Sequence, residues 1–338
     1  MPESWEERAD VDSTITTELH DSTTAPGDAP PPPVERRFTF VTGKGGVGKS
    51  TVTAALALLS ARQGHRTLVC ELNALEQVAP ALGHAPSGGR VTKLEDNLYS
   101  VNIQPEMAME EYGLMKLRFR ALYTVVFENP LVQSLVRFVP GVNDLLMLGK
   151  AFNHEREVDA EGRPVWDRII IDAPATGHGL TLFRLPHIIA DAVPTGNMHL
   201  EATEMWSLLT DTKRTAIHLV SLPEDLPTQE TCELRDRLLA LGLPLGLMVV
   251  NKMPMPLLAP TQRGRFARWT ERPRDAELAS LWDAAHIRAG RVALGAQYSD
   301  TLATLGLPLV WLPQIATNRL RRSDLETLSS HFMEKLTP

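Results

Sequence analysis

Apolar positions in this chain fall into two rhythms. Some stretches are short unbroken runs of β-branched and aliphatic residues; others bring an apolar residue back every three or four positions. The first kind predicts strands buried on both faces, the second amphipathic helices. Phe38, Phe40 and Val41 open a strand that leads through a glycine-rich turn into a helix, the unit spanning 38–63. Ala54 to Ser60 read as helical, and Gly64 stands where a C-terminal cap belongs. Further strands are predicted at Thr67–Glu71, Leu98–Ile103, Val165–Asp172, Ile217–Val220, Leu245–Val250 and Leu307–Leu312. Helices are predicted at Gln229–Leu241, across the polar stretch 262–305, and at Ser323–Leu336. In the last of these, Leu325, Leu328, Phe332 and Leu336 share one stripe, which either packs on the sheet or docks on a membrane. Strands alternating with helices predict an α/β fold with a mostly parallel sheet covered by helices on both faces.

Two stretches depart from that alternation. Over 105–165 long flexible apolar residues recur at helical spacing, among them Met107, Met109, Leu114, Met115, Phe119, Phe127, Leu145, Met147 and Phe152. Over 186–213 the same spacing returns with Ile188, Ile189, Val193, Met198, Met205 and Trp206. Both read as helical insertions outside the sheet, together a helical subdomain. The methionines suit an adaptable groove for an apolar partner, or serve as core filler. Ahead of the first strand, residues 1–36 carry nine acids against Arg8 and Arg36 and end in four consecutive prolines, Pro30 to Pro33. Such a segment cannot bury enough apolar surface to fold, so a disordered acidic tail is expected, with 37–338 as the folded domain.

That tail accounts for the formal charge of −7, and the remaining residues are neutral overall. A neutral body offers no footprint for a phosphate backbone, so no nucleic-acid partner is expected. Cys70 and Cys232 are the only cysteines, too few for a disulfide framework or a thiolate metal cluster. No apolar run reaches membrane-spanning length and the N-terminus lacks a secretory core, so a cytoplasmic protein is expected.

The candidate chemistry sits in the turn after the first strand. Gly43-Lys44-Gly45-Gly46-Val47-Gly48-Lys49-Ser50 satisfies G-x-x-x-x-G-K-[ST], the phosphate-binding loop of a P-loop NTPase, with Thr51 following. Glycines let successive N–H groups turn inward around an anion, and the helix N-terminus adds partial positive charge. Lys49 is expected at the β- and γ-phosphates of ATP and Ser50 on Mg²⁺. Asp172, at the end of a buried strand, is positioned to hold Mg²⁺ through water, although a strand-ending acid also occurs without such a role.

Lys44 has no role in an ordinary phosphate-binding loop. With it, Gly-Lys-Gly-Gly-Val-Gly-Lys-Ser-Thr resembles the deviant Walker A of the dimeric P-loop ATPases. The loop Asp172-Ala-Pro-Ala-Thr-Gly-His178 is similar to the switch II signature of the arsenite-translocating and tail-anchored-protein-targeting ATPases within that group. Pro140-Gly141-Val142-Asn143-Asp144, Val249-Val250-Asn251-Lys252 and Leu312-Pro313-Gln314 resemble three further stretches of that family, in the family's order.

The resemblance implies an ATPase dependent on Mg²⁺ that works as a homodimer, or as a heterodimer with a paralogous ATPase, with Lys44 reaching the partner's nucleotide. It implies that Pro174, Thr176, Gly177 and His178 form a switch, His178 either sensing nucleotide state or serving as a core histidine. Asn251 is then the adenine reader, or else a plain turn asparagine, with Pro313 and Gln314 lining the base. One departure stands out. Where the family's second strand ends in an Asp that positions the attacking water, this chain has Asn73. An amide orients water but accepts no proton, so hydrolysis is expected to be slow unless Glu71 substitutes. Three readings follow: a targeting ATPase that shields a hydrophobic client helix or binds a membrane-protein partner, the energising subunit of an anion pump, or a regulatory subunit. The family's zinc clasp and arsenite-binding thiolates have no counterpart, so neither site is expected.

Overall fold

The computed structural model describes residues 30–72, 75–109, 141–174, 176–317 and 320–336. A short 3₁₀ turn, Pro33–Glu35, leads into β1 (Phe38–Gly43), α1 (Lys49–Arg62), β2 (Thr67–Glu71) and α2 (Val78–Ala81). Next come β3 (Thr92–Glu95), β4 (Leu98–Asn102), α3 (Val142–Arg156), β5 (Arg168–Asp172), α4 (Thr176–Ala192) and α5 (Asn197–Thr210). The chain continues through β6 (Thr215–Ser221), α6 (Asp225–Ala240), β7 (Leu245–Met253), α7 (Pro260–Ala267), α8 (Ala276–Ala303), β8 (Leu309–Pro313) and α9 (Arg322–Leu336).

The eight strands form one sheet in the order β3-β4-β2-β5-β1-β6-β7-β8. Every pairing is parallel except the antiparallel edge pair β3 with β4. β1 is buried along its whole length and takes β5 on one side and β6 on the other. Its side chains alternate between two cores, as a strand covered on both faces must. Phe38 and Phe40 pack with Leu148 and Phe152 of α3, Phe183 of α4, Leu209 of α5 and Leu238 of α6. Val41 faces the other way, with Val52 and Leu58 of α1 and Leu325, Leu328 and Phe332 of α9. The C-terminal stripe is therefore core: Phe332 is fully buried against the sheet and α1. At the far end of α1, Gly64 takes φ +88°, its N–H reaches Ala61 and the His65 N–H reaches Ser60. These two bonds form a Schellman cap.

The structure departs from the sequence pattern at several places, the end of the expected tail among them, where Pro33–Glu35 form a turn and Arg36 is buried. β3 has no counterpart among the expected strands, because in Thr-Lys-Leu-Glu only Leu94 is buried. β5 begins at Arg168, since Val158 and Pro164 close a small bridge just before it. The stretch 173–179, expected as a loop, is helical from Thr176 onward. Of the methionines expected in the insertions, Met147 is core and Met198 is exposed, while Met115 lies outside the described residues.

Candidate functional site

The strands of a parallel sheet end on one side, and the loops that follow them converge there. β1 ends in the turn 44–48, from which α1 starts directly at Lys49. Gly48 caps that helix at φ +93°, and a side chain there would collide with the Asn251 amide. Gly43 is equally constrained, since a Cβ would run into the Val220 carbonyl of β6. Between them Val47 is buried and anchors the turn. The Asn251 amide donates to the Val47 carbonyl at 2.8 Å, and its oxygen accepts the Lys252 N–H at 2.9 Å. Asn251 thus braces the glycine turn from β7. One amide hydrogen and one lone pair stay beyond these two bonds.

Asp172 ends β5 beside this turn, fully buried. Ser50 donates to its Oδ2 at 2.6 Å and Thr53 to its Oδ1 at 3.5 Å, both from the first turns of α1. Burial pushes the carboxyl up to about 6, and the Ser50 bond and the Lys49 charge pull it back. Lys49 itself donates to the Lys44 carbonyl at 3.2 Å, and burial draws its ammonium below the usual lysine range against the pull of Asp172. Lys44 leaves the turn in another direction and pairs with Glu230 of α6 at 2.7 Å, both side chains about one-third exposed at most. Thr51 is half-buried in the first turn of α1.

Glu71 ends β2, in register with Asp172 on the neighbouring strand. Its Oε1 accepts the N–H groups of Gln77 at 2.7 Å and Val78 at 3.1 Å, so it caps the short helix α2. Its Oε2 is buried and has no partner among the described residues. Burial raises this carboxyl to about 7, opposed by the two backbone bonds and reinforced by Asp172. Glu71 therefore closes the far end of the loop that begins at Leu72. Asn73 lies outside the described residues. Pro174 precedes α4, and Thr176, Gly177 and His178 occupy its first turn. On the opposite flank Pro313 ends β8, and the Gln314 N–H donates to the Met253 carbonyl at 2.9 Å.

The structure thus gathers the 43–51 turn, Asp172, Glu71 and Asn251 at one end of the sheet, with Pro313 and Gln314 over β8. Sequence reasoning missed Thr53, Glu230 and Arg288, the last bonded to Gln314. Thr53 is signalled only by its place one turn after Ser50; Glu230 and Arg288 stand far away in the chain, and nothing in their neighbourhoods marks them. As chemistry, the arrangement offers a glycine turn of positive φ at a helix N-terminus, one desolvated cation, and a hydroxyl paired with a carboxylate.

Comparison with known proteins agrees with this architecture. Residues 36–196 match the model of the anion-transporting ATPase family. Among relatives, ATPase BagA of Mycobacterium tuberculosis is 29% identical over 307 residues, covering 83% of this chain and 88% of that protein. A protein of Prosthecochloris vibrioformis with the provisional name arsenical pump-driving ATPase is 24% identical over 69% of this chain and 64% of its own length. ATPase ASNA1 homolog 2 of Paramecium tetraurelia is 28% identical over 45% of each chain. The fold and the site define a P-loop ATPase. More narrowly, residues 36–196 are similar to the anion-transporting ATPase family, the one to which the sequence resemblance pointed. Among the described residues no helix is long and apolar enough to cross a membrane.

Proposed function

We propose that this ATPase binds magnesium ATP at the 43–51 turn, pairs two subunits around the nucleotide, and switches its helical insertions with slow hydrolysis. The insertions at about 105–165 and 186–213 would receive a hydrophobic client helix or a membrane-protein partner. The observation that carries the reading is the buried Asp172 carboxylate held on Ser50 at 2.6 Å, where α1 leaves the glycine turn.

That pair fits a magnesium ion. A hydroxyl and a carboxylate are the hard oxygen donors the ion prefers, and a desolvated carboxylate gains by acquiring a cation. Magnesium, when bound, supplies neutralisation of phosphate charge. The chain's own groups supply the rest. N–H groups of the glycine turn and the α1 N-terminus cradle phosphate oxygens, and the desolvated Lys49 ammonium takes the terminal phosphates. Asn251 keeps the turn in shape from behind. Glu71 spends Oε1 on two backbone N–H groups and keeps Oε2 buried away from solvent, so it anchors the segment after β2 and is poorly placed to take a proton from water. Asn73 itself has no basic group to offer. The chain then holds ATP far longer than a family member with an acid at this position. A regulatory subunit paired with a paralogue that supplies the missing acid is the second reading, favoured by the same residue.

Calorimetric titration with ATP, with and without magnesium, followed by single-turnover hydrolysis tests this. Tight binding that needs magnesium and disappears in Lys49→Ala is expected. Asn73→Asp should raise the single-turnover rate by about a hundredfold, the usual contribution of a placed general base. Fast turnover by the parent chain, or no gain in the variant, would overturn the slow-hydrolysis reading; failure to bind ATP would overturn the site.

A further inference from the structure

The loops after β7 and β8 form a framework of their own beside the glycine turn. Met253 of β7 lies in register with Pro313 of β8, and the Gln314 N–H reaches back to the Met253 carbonyl. From α8, Arg288 enters the gap between these loops. Its Nε and one terminal nitrogen donate to the Met255 carbonyl at 3.2 and 2.8 Å, and the other terminal nitrogen donates to Gln314 Oε1 at 3.2 Å. The helix that carries it is pressed onto the same loop: a Cβ at Gly295 would meet Pro254 at 2.8 Å. One turn on, Ser299 and the Trp311 indole of β8 share a hydrogen bond of 2.6 Å. A planar guanidinium holds two acceptors at a set separation, which an ammonium on a flexible stem does not.

The handedness of the site says which part of a nucleotide lies there. Ser50 and Asp172 mark the metal and terminal-phosphate side, and Asp172 belongs to β5. In the sheet, β6, β7 and β8 lie on the other side of β1 from β5. The nucleoside end of the ligand therefore extends toward the loops that Arg288 joins. Asn251 makes the connection physical, since it belongs to β7 and also braces the glycine turn.

We propose, resting on the nucleotide reading above, that Arg288 is the positioning residue of the nucleobase half of the site. It fixes the 255 loop against the Gln314 side chain and so sets the part of the affinity that depends on the base, with no contribution to phosphate binding.

The test titrates the full chain with magnesium ATP and, separately, with magnesium tripolyphosphate, which has no base. For Arg288→Met, ATP affinity is expected to fall about tenfold, the worth of hydrogen bonds to a charged group, with tripolyphosphate affinity unchanged within about twofold. Arg288→Lys keeps the charge and loses the fork, so it should also weaken ATP selectively. Gln314→Leu, at the exposed far end of the strut, should repeat the pattern without disturbing α8. Equal weakening of both ligands, or no change in either, would overturn the assignment. A parent chain that binds tripolyphosphate as tightly as ATP would overturn it too and leave the phosphate site standing. A parent that binds neither ligand would take the nucleotide reading down with it.

Discussion

Asp172 shows how burial and partners compete at one side chain. Desolvation raises its carboxyl from an ordinary 3.8 to about 6, although Ser50, Thr53 and Lys49 all favour the charged form. Its register neighbour Glu71 is raised from 4.5 to about 7 by the same cause, with Asp172 adding repulsion. An acid raised in the folded state binds its proton more tightly folded than unfolded. Folding then takes up protons between those two values, and stability falls as the pH climbs through the window. Asp172→Asn removes the charge and keeps the shape, and by lifting the repulsion on Glu71 it relieves both carboxyls in the same direction. In metal-free urea unfolding the variant should be more stable than the parent by roughly 2–3 kcal/mol at pH 8, a shift of about two units in free energy. The difference should vanish below about pH 3, where the parent's carboxyl is protonated both folded and unfolded, while magnesium-dependent ATP binding is lost at every pH. A variant less stable than its parent at pH 8 would show that the three partners outweigh desolvation.

The elements were legible in the sequence in proportion to how local their causes are. β1 and its turn are written in a run of consecutive residues, and the acid ending β5 follows from a strand pattern alone. The cap at Gly64 and the α9 stripe were visible for the same reason. The start of α4 was not. Pro174, Gly177 and Gly179 look like helix breakers, yet Pro174 stands before the first turn, where a missing N–H costs nothing. Also hidden was the irregularity between β6 and β7. Their register shifts between Ile217 and Leu219, and the Leu247 N–H is met by His218 Nδ1 at 2.9 Å instead of a backbone carbonyl. Gly246 is required beside it, because a Cβ would strike the imidazole. Nothing in the apolar run 215–221 announces a bulge satisfied by a side chain. Burial, and Arg36 after it, push this histidine from 6.5 to about 3, so it stays neutral and able to accept. A depressed histidine contributes stability that is complete above its unfolded value and fades as the pH falls toward its folded one. His218→Leu should therefore cost about 1–3 kcal/mol at pH 7.5 by leaving the Leu247 N–H unpaired. The deficit should narrow in urea unfolding at pH 5. A deficit that stays the same at both pH values would mean that the imidazole acts only by filling space.

Across the whole molecule, the feature that bears most on assembly is the direction taken by Lys44. Within one chain its ammonium is held by Glu230 of α6, so the lysine that the family resemblance assigns to a neighbouring subunit is engaged at home. The two side chains are 26% and 36% exposed, and an ion pair that wet contributes about 0–1 kcal/mol. A contact of this strength neither secures the fold nor bars release; it sets a small threshold that phosphate charge between two subunits can exceed. Glu230→Gln removes the threshold without touching the glycine turn. Its melting temperature should match the parent's within a few degrees, and half-maximal pairing should need up to about fivefold less non-hydrolysable ATP, the equivalent of about 1 kcal/mol. Native mass measurement across a nucleotide titration reads both assembly and occupancy. Lys44→Ala should bind nucleotide and remain single. If Glu230→Gln pairs no more readily than its parent while Lys44→Ala fails to pair, the home contact is incidental and the lysine still acts across the interface. If the parent remains single at saturating magnesium nucleotide and Lys44→Ala behaves identically, Lys44 belongs to Glu230 alone, and this chain has kept the family's loop without its two-subunit use.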